Sequence, residues 1–171
     1  VVFLQAAGRS REQHSVPDEE YVLPLGQAAI KREGRDITIV AIGSMVKQAL
    51  LAAQDLATKG LEVEVLDPRT LFPLDKHAIL ASVAKTGRLI IVDEAHDACG
   101  AASYISAIVA EQAFAALKGP VCRLTVGDTA MPFSPPLEDA LRPEKAEIVE
   151  AALAAINGNL PRHSLVSQPV V

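Results

Sequence analysis

The sequence predicts an α/β domain of three layers, a mainly parallel sheet with helices on both faces. Three observations predict it. From Asp36 onward, strand-like and helix-like patterns alternate over four repeats. Leu89–Val92 is a continuous apolar run, as in a strand covered on both sides. The connections are short and punctuated by Gly, Pro and Asp, which favours parallel strands joined by right-handed helical crossovers.

Each element has a local reason. Ile37–Ile42 is β-branched and apolar, hence a strand. Gly43 and Ser44 then supply a tight turn and a helix cap, and Val46, Leu50, Ala53 and Leu56 recur at helical spacing up to Gly60. Leu61, Val63 and Val65 alternate with Glu62 and Glu64, the period-2 pattern of a strand with one buried face. Pro68 ends that strand because it lacks an amide donor, and Asp75 is placed to cap a helix over Lys76–Lys85 that stops at Gly87. A long helix over Cys99–Leu117, apolar on most sides, is expected to be the most buried one. A strand over Val121–Val126 and a helix over Glu144–Ile156, with Ile148, Val149, Ala152 and Leu153 inward, complete the domain.

This places the folded domain at residues 36–157. Residues 1–35 read as the end of a preceding domain, with Val1–Leu4 as its last strand, followed by a polar, partly disordered linker. Residues 158–171 read as an aperiodic tail. A chain of 171 residues can bury about two thirds of its unfolded surface, so neither disulfide nor metal is required to hold it. The net charge of −5, with Lys and Arg scattered, argues against a nucleic-acid surface. No apolar run approaches a membrane span and no signal segment opens the chain, which points to the cytoplasm or an organelle matrix. Cys99 and Cys122 lie far apart and read as reduced, buried thiols.

In an open parallel sheet ligands bind beyond the carboxyl ends of the strands. There the sequence places Gly43-Ser44, Asp67, Asp93-Glu94-Ala95-His96-Asp97 and Gly127-Asp128. These could form a metal or acid/base site, but carboxylates at strand ends also serve as caps, and the histidine has no second ligand at a suitable spacing. Gly43-Ser44 offers amides to an anion without the multi-glycine loop or Lys-Ser pair of a phosphate site. No serine sits in a Gly-flanked nucleophile turn, and His77 reads as a surface residue. No catalytic, cofactor-binding or metal-ligating residue is therefore assigned. The residues alone leave open a free-standing small-ligand or anion-binding module.

Four segments in order carry a sharper signal: Val22–Ala28 with Lys31–Gly34, Asp36–Ser44, Glu62–Asp75 ("EVEVLDPRTLFPLD") and Asp128–Phe133 leading to Leu137-Glu138. Together they resemble the C-terminal domain of the beta subunit of thiamine-diphosphate-dependent 2-oxoacid dehydrogenases, a module similar to the C-terminal domain of transketolase. The resemblance covers roughly residues 16–156. It implies a transketolase C-terminal-like fold and a domain that is itself non-catalytic. The parent enzyme so implied decarboxylates a 2-oxoacid with thiamine diphosphate and Mg and passes the acyl group to a lipoyl arm. The groups that activate the cofactor belong to another domain.

The partners implied are an alpha subunit and a second beta subunit, forming a heterotetramer, and a dihydrolipoyl acyltransferase. Glu138, Asp139, Glu144 and Glu147 are docking candidates by sign; they also read as an ordinary solvated helix face. Met131-Pro132-Phe133 either packs on a neighbouring subunit or closes the domain's own core. Where the family pattern suggests an acid near position 118, this chain has Lys118. The Asp93–Ala95 and Cys99–Ser103 segments resemble branched-chain or acetoin-type relatives more than pyruvate-specific ones.

Overall fold

The strands lie in the order β1-β3-β2-β4-β5, with β1 (Ala29–Arg32), β2 (Ile37–Ala41), β3 (Val63–Asp67), β4 (Leu89–His96) and β5 (Cys122–Val126). β2, β3, β4 and β5 pair in parallel, while β1 runs antiparallel to β3 with Ala29 opposite Asp67. The structure, a computed structural model, describes Ser15 and residues 17–159. The strand expected at Val1–Leu4, most of the linker and nearly all of the tail lie outside those residues.

Two cores flank the sheet. On one face α1 (Met45–Ala57) and α5 (Lys145–Ile156) cover Ile37, Ile39, Val63, Val65, Ile90, Val92 and Leu124. On the other, α2 (Lys76–Thr86) and α3 (Ala101–Gln112) cover Val40, Leu66, Leu89 and Ile91. Alternate residues of one strand feed opposite cores, as the pleat requires. The expected three-layer α/β/α architecture is observed. The cap and stop of α2 are also as expected: Asp75 accepts from the Ala78 amide at 3.0 Å, and Gly87 adopts φ +76° beyond the last turn.

Several local expectations are corrected. β1 adds a strand ahead of Asp36, in a segment expected to be linker; its Ala-Ile-Lys-Arg pattern does not alternate, and only the pairing with β3 makes it a strand. β4 continues four residues past Val92 to His96, its end irregularly paired with β5. The long helix is shorter than expected. Cys99 has φ +57° and Gly100 is extended, so α3 starts at Ala101; it stops at Ala113 and yields to a 3-10 turn, Phe114–Ala116. Only Ala102, Ile105, Ile108 and Val109 of α3 are buried, against six residues of α1, so α3 is not the most buried helix. Cys99 is exposed and only Cys122 is buried; both thiols are free.

The largest correction concerns Glu64, read as the solvent face of its strand. It is 0% exposed, because α2 lies over that face. Its carboxylate accepts from the Ser82 hydroxyl at 2.5 Å and from the Lys85 ammonium, and the Gly34 amide lies 3.4 Å away. Ser82 in turn bonds the Thr38 hydroxyl at 2.7 Å, and Thr38 bonds Thr86 at 2.8 Å. A carboxylate in this position is tolerable only because every partner is present.

Candidate functional site

β2 leads to α1 on one face and β4 leads to α3 on the other, so the sheet reverses its winding between β2 and β4. Ligands of open α/β sheets bind at such a point, beyond the carboxyl ends. Ser44 follows β2 there. It stands at the N-cap position of α1 with helical backbone and no capping bond, contrary to the expected cap. Its hydroxyl instead donates to the Glu94 carboxylate at the end of β4. The other Glu94 oxygen would lie 3.7 Å from a side chain at Gly43, so this carboxylate occupies the mouth of α1 where an anion would sit.

Apart from Asp128, the remaining strand-end groups have partners within the domain. Asp93, 4% exposed, accepts from the Ala95 amide at 3.1 Å, and burial raises its pKa. The His96 Nδ1–H donates to the Gly127 carbonyl at 3.0 Å. Asp97 pairs with Arg123 at 3.1 Å and accepts from the Thr125 hydroxyl at 3.2 Å, while Ser103 donates to the Asp97 carbonyl at 2.7 Å. Asp67 accepts from the Arg69 amide at 2.9 Å and faces Lys31 at 3.9 Å. Asp128 is exposed. The partners Arg123, Thr125 and Arg142 escaped sequence reasoning because each comes from an element distant in the chain.

This arrangement does not fit magnesium and a diphosphate. Among the described residues no three His, Cys, Asp or Glu side chains are placed to hold a metal ion. The carboxylates that reach the edge are acceptors to amides, hydroxyls and guanidinium groups of the domain. The Ser44 hydroxyl at the N-terminus of α1 faces a carboxylate, which repels phosphate. No catalytic step is derived from these residues.

The docking candidates stand on α4 (Pro135–Asp139) and at the start of α5. Arg142 binds Asp139 at 2.6 Å and lies 4.0 Å from both Glu138 and Glu94. Glu144 and Glu147 form a capping box for α5, the Glu144 amide donating to Glu147 at 2.9 Å. Met131 and Phe133 are exposed, Phe133 completely, and Pro132 is partly buried, so Phe133 does not close the core. Lys118 donates to the Thr86 carbonyl at 3.1 Å, a cation at the C-terminus of α2. His77 is exposed, lining a shallow groove of about 400 Å³ with Leu80, Ala84 and Ala116.

A second feature of the carboxyl edge lies at the opposite side of the sheet, after β3. Arg69 there has φ +59°, and Phe72, just before the cis peptide to Pro73, is 95% exposed. The Asp-Pro pair announced a turn; nothing local announced the left-handed residue.

Comparison with known proteins decides the family. Residues 26–148 match the family described as the transketolase C-terminal domain, well over half of the chain. The chain belongs to that family. This transketolase C-terminal domain is 50% identical over 138 residues to the beta subunit of an acetoin:2,6-dichlorophenolindophenol oxidoreductase of Bacillus subtilis strain 168, covering 81% of this chain and 40% of the relative. It is 40% identical over 157 residues to the beta subunit of the pyruvate dehydrogenase E1 component of Staphylococcus epidermidis, covering 91% of this chain and 48% of the relative. The chain thus spans somewhat under half the length of the curated relatives it matches. Among solved structures it is similar to a split-gene transketolase described as an inactive beta4 tetramer, with TM-score 0.72, 27% identity and coverage of 86% of this chain and 47% of that one. Among the described residues no helix is long and apolar enough to cross a membrane.

Proposed function

We propose that this domain is the non-catalytic C-terminal domain of the beta subunit of a thiamine-diphosphate-dependent dehydrogenase, acting in heterotetramer assembly and in docking the acyltransferase component. One observation carries the reading: at 40–50% identity, nearly all of the domain aligns with beta subunits of acetoin and pyruvate dehydrogenases about twice its length. The higher identity to the acetoin-type subunit favours an acetoin-type complex as the parent, working in the cytoplasm. Thiamine diphosphate with Mg would supply the carbanion chemistry of the parent enzyme, bound by another part of it.

The edge chemistry supports a scaffold over the free-standing anion-binding module. Glu94 fills the α1 N-terminus, and a carboxylate there opposes an incoming anion. Exposed Met131 and Phe133 supply apolar surface for contact with the alpha subunit or the second beta subunit. The four acids have internal roles as well. Arg142 offsets much of the charge of Glu138 and Asp139, so the docking strength assigned to the acids is modest.

Two measurements test this. The full-length beta chain mixed with its alpha subunit should give the mass of a heterotetramer, and Phe133→Asp should weaken that assembly at least roughly tenfold, the loss of one well-placed apolar anchor. Calorimetry of the assembled enzyme with the peripheral binding module of the acyltransferase should show association that weakens as salt rises. A beta chain that forms no heterotetramer sinks the assembly role. Absence of binding at low salt removes docking alone.

A further inference from the structure

We infer that the loop Asp67–Asp75 is a preformed docking knob for the part of the parent beta subunit that lies outside this 171-residue chain, which receives it in an apolar pocket rimmed by a carboxylate. The inference rests on the reading of this chain as the C-terminal half of a longer beta subunit.

The loop is built to hold an unfavourable shape. A left-handed backbone costs a residue with a side chain about 1–2 kcal/mol, and Arg69 adopts it at φ +59°. Hydrogen bonds enforce the turn: the Arg69 amide donates to Asp67 at 2.9 Å and the Thr70 amide to the Pro68 carbonyl at 2.6 Å. The Thr70 hydroxyl donates to the Pro73 carbonyl at 2.7 Å and accepts from the Gly26 amide at 3.0 Å. Strain that surrounding structure over-determines is concentrated at functional segments.

The side chains it displays do nothing for the domain. Leu71 and Phe72 are exposed, and among the described residues no carboxylate pairs with the Arg69 guanidinium. An exposed aromatic beside an unpaired arginine, on a loop fixed before contact, is the composition of a binding hot spot. The arginine sets the chemistry of the receiving surface, a carboxylate at the rim of an apolar pocket.

The path of the chain names the occupant. Tyr21, Val22, Leu23 and Leu25 are also exposed, and the next residue, Gly26, is bonded to the loop through Thr70. An added Cβ at Gly26 would lie 2.9 Å from Pro73, so the incoming chain lies directly against the knob. The segment Tyr21–Leu25 therefore leads into this face through Gly26. The relatives' extra length, more than half of each, supplies a domain large enough to cover it.

The test compares the 171-residue chain with the full-length beta subunit, each carrying Phe72→Ser or Arg69→Asn; asparagine tolerates left-handed backbone. Thermal unfolding of the full-length protein should fall by at least about 3 °C with either variant. The 171-residue chain should be unchanged within about 1 °C, since the side chains are exposed there. Amides 69–72 should exchange more slowly in the full-length protein. Equal shifts in both proteins, or none in the full-length one, would overturn the inference. So would protection of amides 69–72 that appears in the short chain as its concentration rises, which would make the occupant a second copy. These readouts require neither an alpha subunit nor an acyltransferase, so the knob and the proposed assembly role can fail separately.

Discussion

The two halves of one stretch, Glu62–Leu66 and Asp67–Asp75, behave in opposite ways. The first half turns a carboxylate into the protein and surrounds it: Glu64 touches Ser82, Lys85 and Gly34 and sees no solvent. The second half turns a cation and two apolar side chains out of the protein and leaves them uncovered. Charge inside and hydrocarbon outside invert the usual preference of each residue type. A folded domain tolerates the first because its partners are intrachain. It has no use of its own for the second, whose partner lies elsewhere.

The contrast is broken most severely at Gly34. A Cβ on this residue would lie 2.2 Å from the Glu64 amide nitrogen and from the Val63 carbonyl carbon, both backbone atoms of a central strand. Nothing flexible can yield there. Gly34→Ala should destabilise the domain by about 4 kcal/mol or more, above the usual overpacking range because β3 itself has to move. Urea unfolding monitored by circular dichroism measures it, and a loss under about 1 kcal/mol would mean that the β1–β2 turn is free to shift.

Next in size is the ion pair. Lys85→Met keeps the aliphatic stem and leaves the Glu64 carboxylate buried with a hydroxyl and an amide for partners. Loss of one member of an enclosed pair costs about 3–5 kcal/mol; Lys85 is 42% exposed, so about 2 kcal/mol is expected here. The Glu64 hydrogen bond raises the Lys85 pKa, with a smaller contribution from Glu33 at 3.2 Å. That stability is present below the unfolded lysine pKa and is lost as pH rises through the folded value. The gap between parent and variant should therefore close in strong alkali, as read from urea midpoints across pH.

These effects mark the limit of what was legible in the sequence. Asp75, Gly87 and Gly60 announced themselves, because caps and left-handed stops depend on a few neighbouring residues. The strands of the parallel sheet were legible from their apolar runs. Glu64 was misread because its period-2 pattern describes one strand, whereas its burial depends on a helix twelve to twenty-two residues later folding across it. The same separation hid Arg123 and Arg142 beside the strand-end acids, and β1 beside β3. The carboxyl-edge residues were located by topology alone. Their commitment to one another became visible only with distances such as the 3.1 Å between Arg123 and Asp97.

The smallest effect tests the joint between the two halves. Asp75 divides its carboxylate between the Ala28 amide, which brings in the β1 segment, and the Ala78 amide of α2, each at 3.0 Å. Both bonds favour the ionised form, the Ala28 bond most, and the pKa is lowered. Asp75→Ala should cost about 1–2 kcal/mol at pH 7, a helix cap together with a second amide. A depressed folded pKa contributes stability above the unfolded value, near 4 for Asp, that is lost as pH falls through the folded one. The deficit of the variant should therefore shrink below about pH 4. Amide exchange separates the halves: Ala28, Gly26 and Thr70 should exchange faster in the variant, while Thr38 and Glu64 keep their protection. Faster exchange at both sites would mean that the inward and outward halves are one cooperative unit, and that the loop's shape is a by-product of the core rather than a separately held surface.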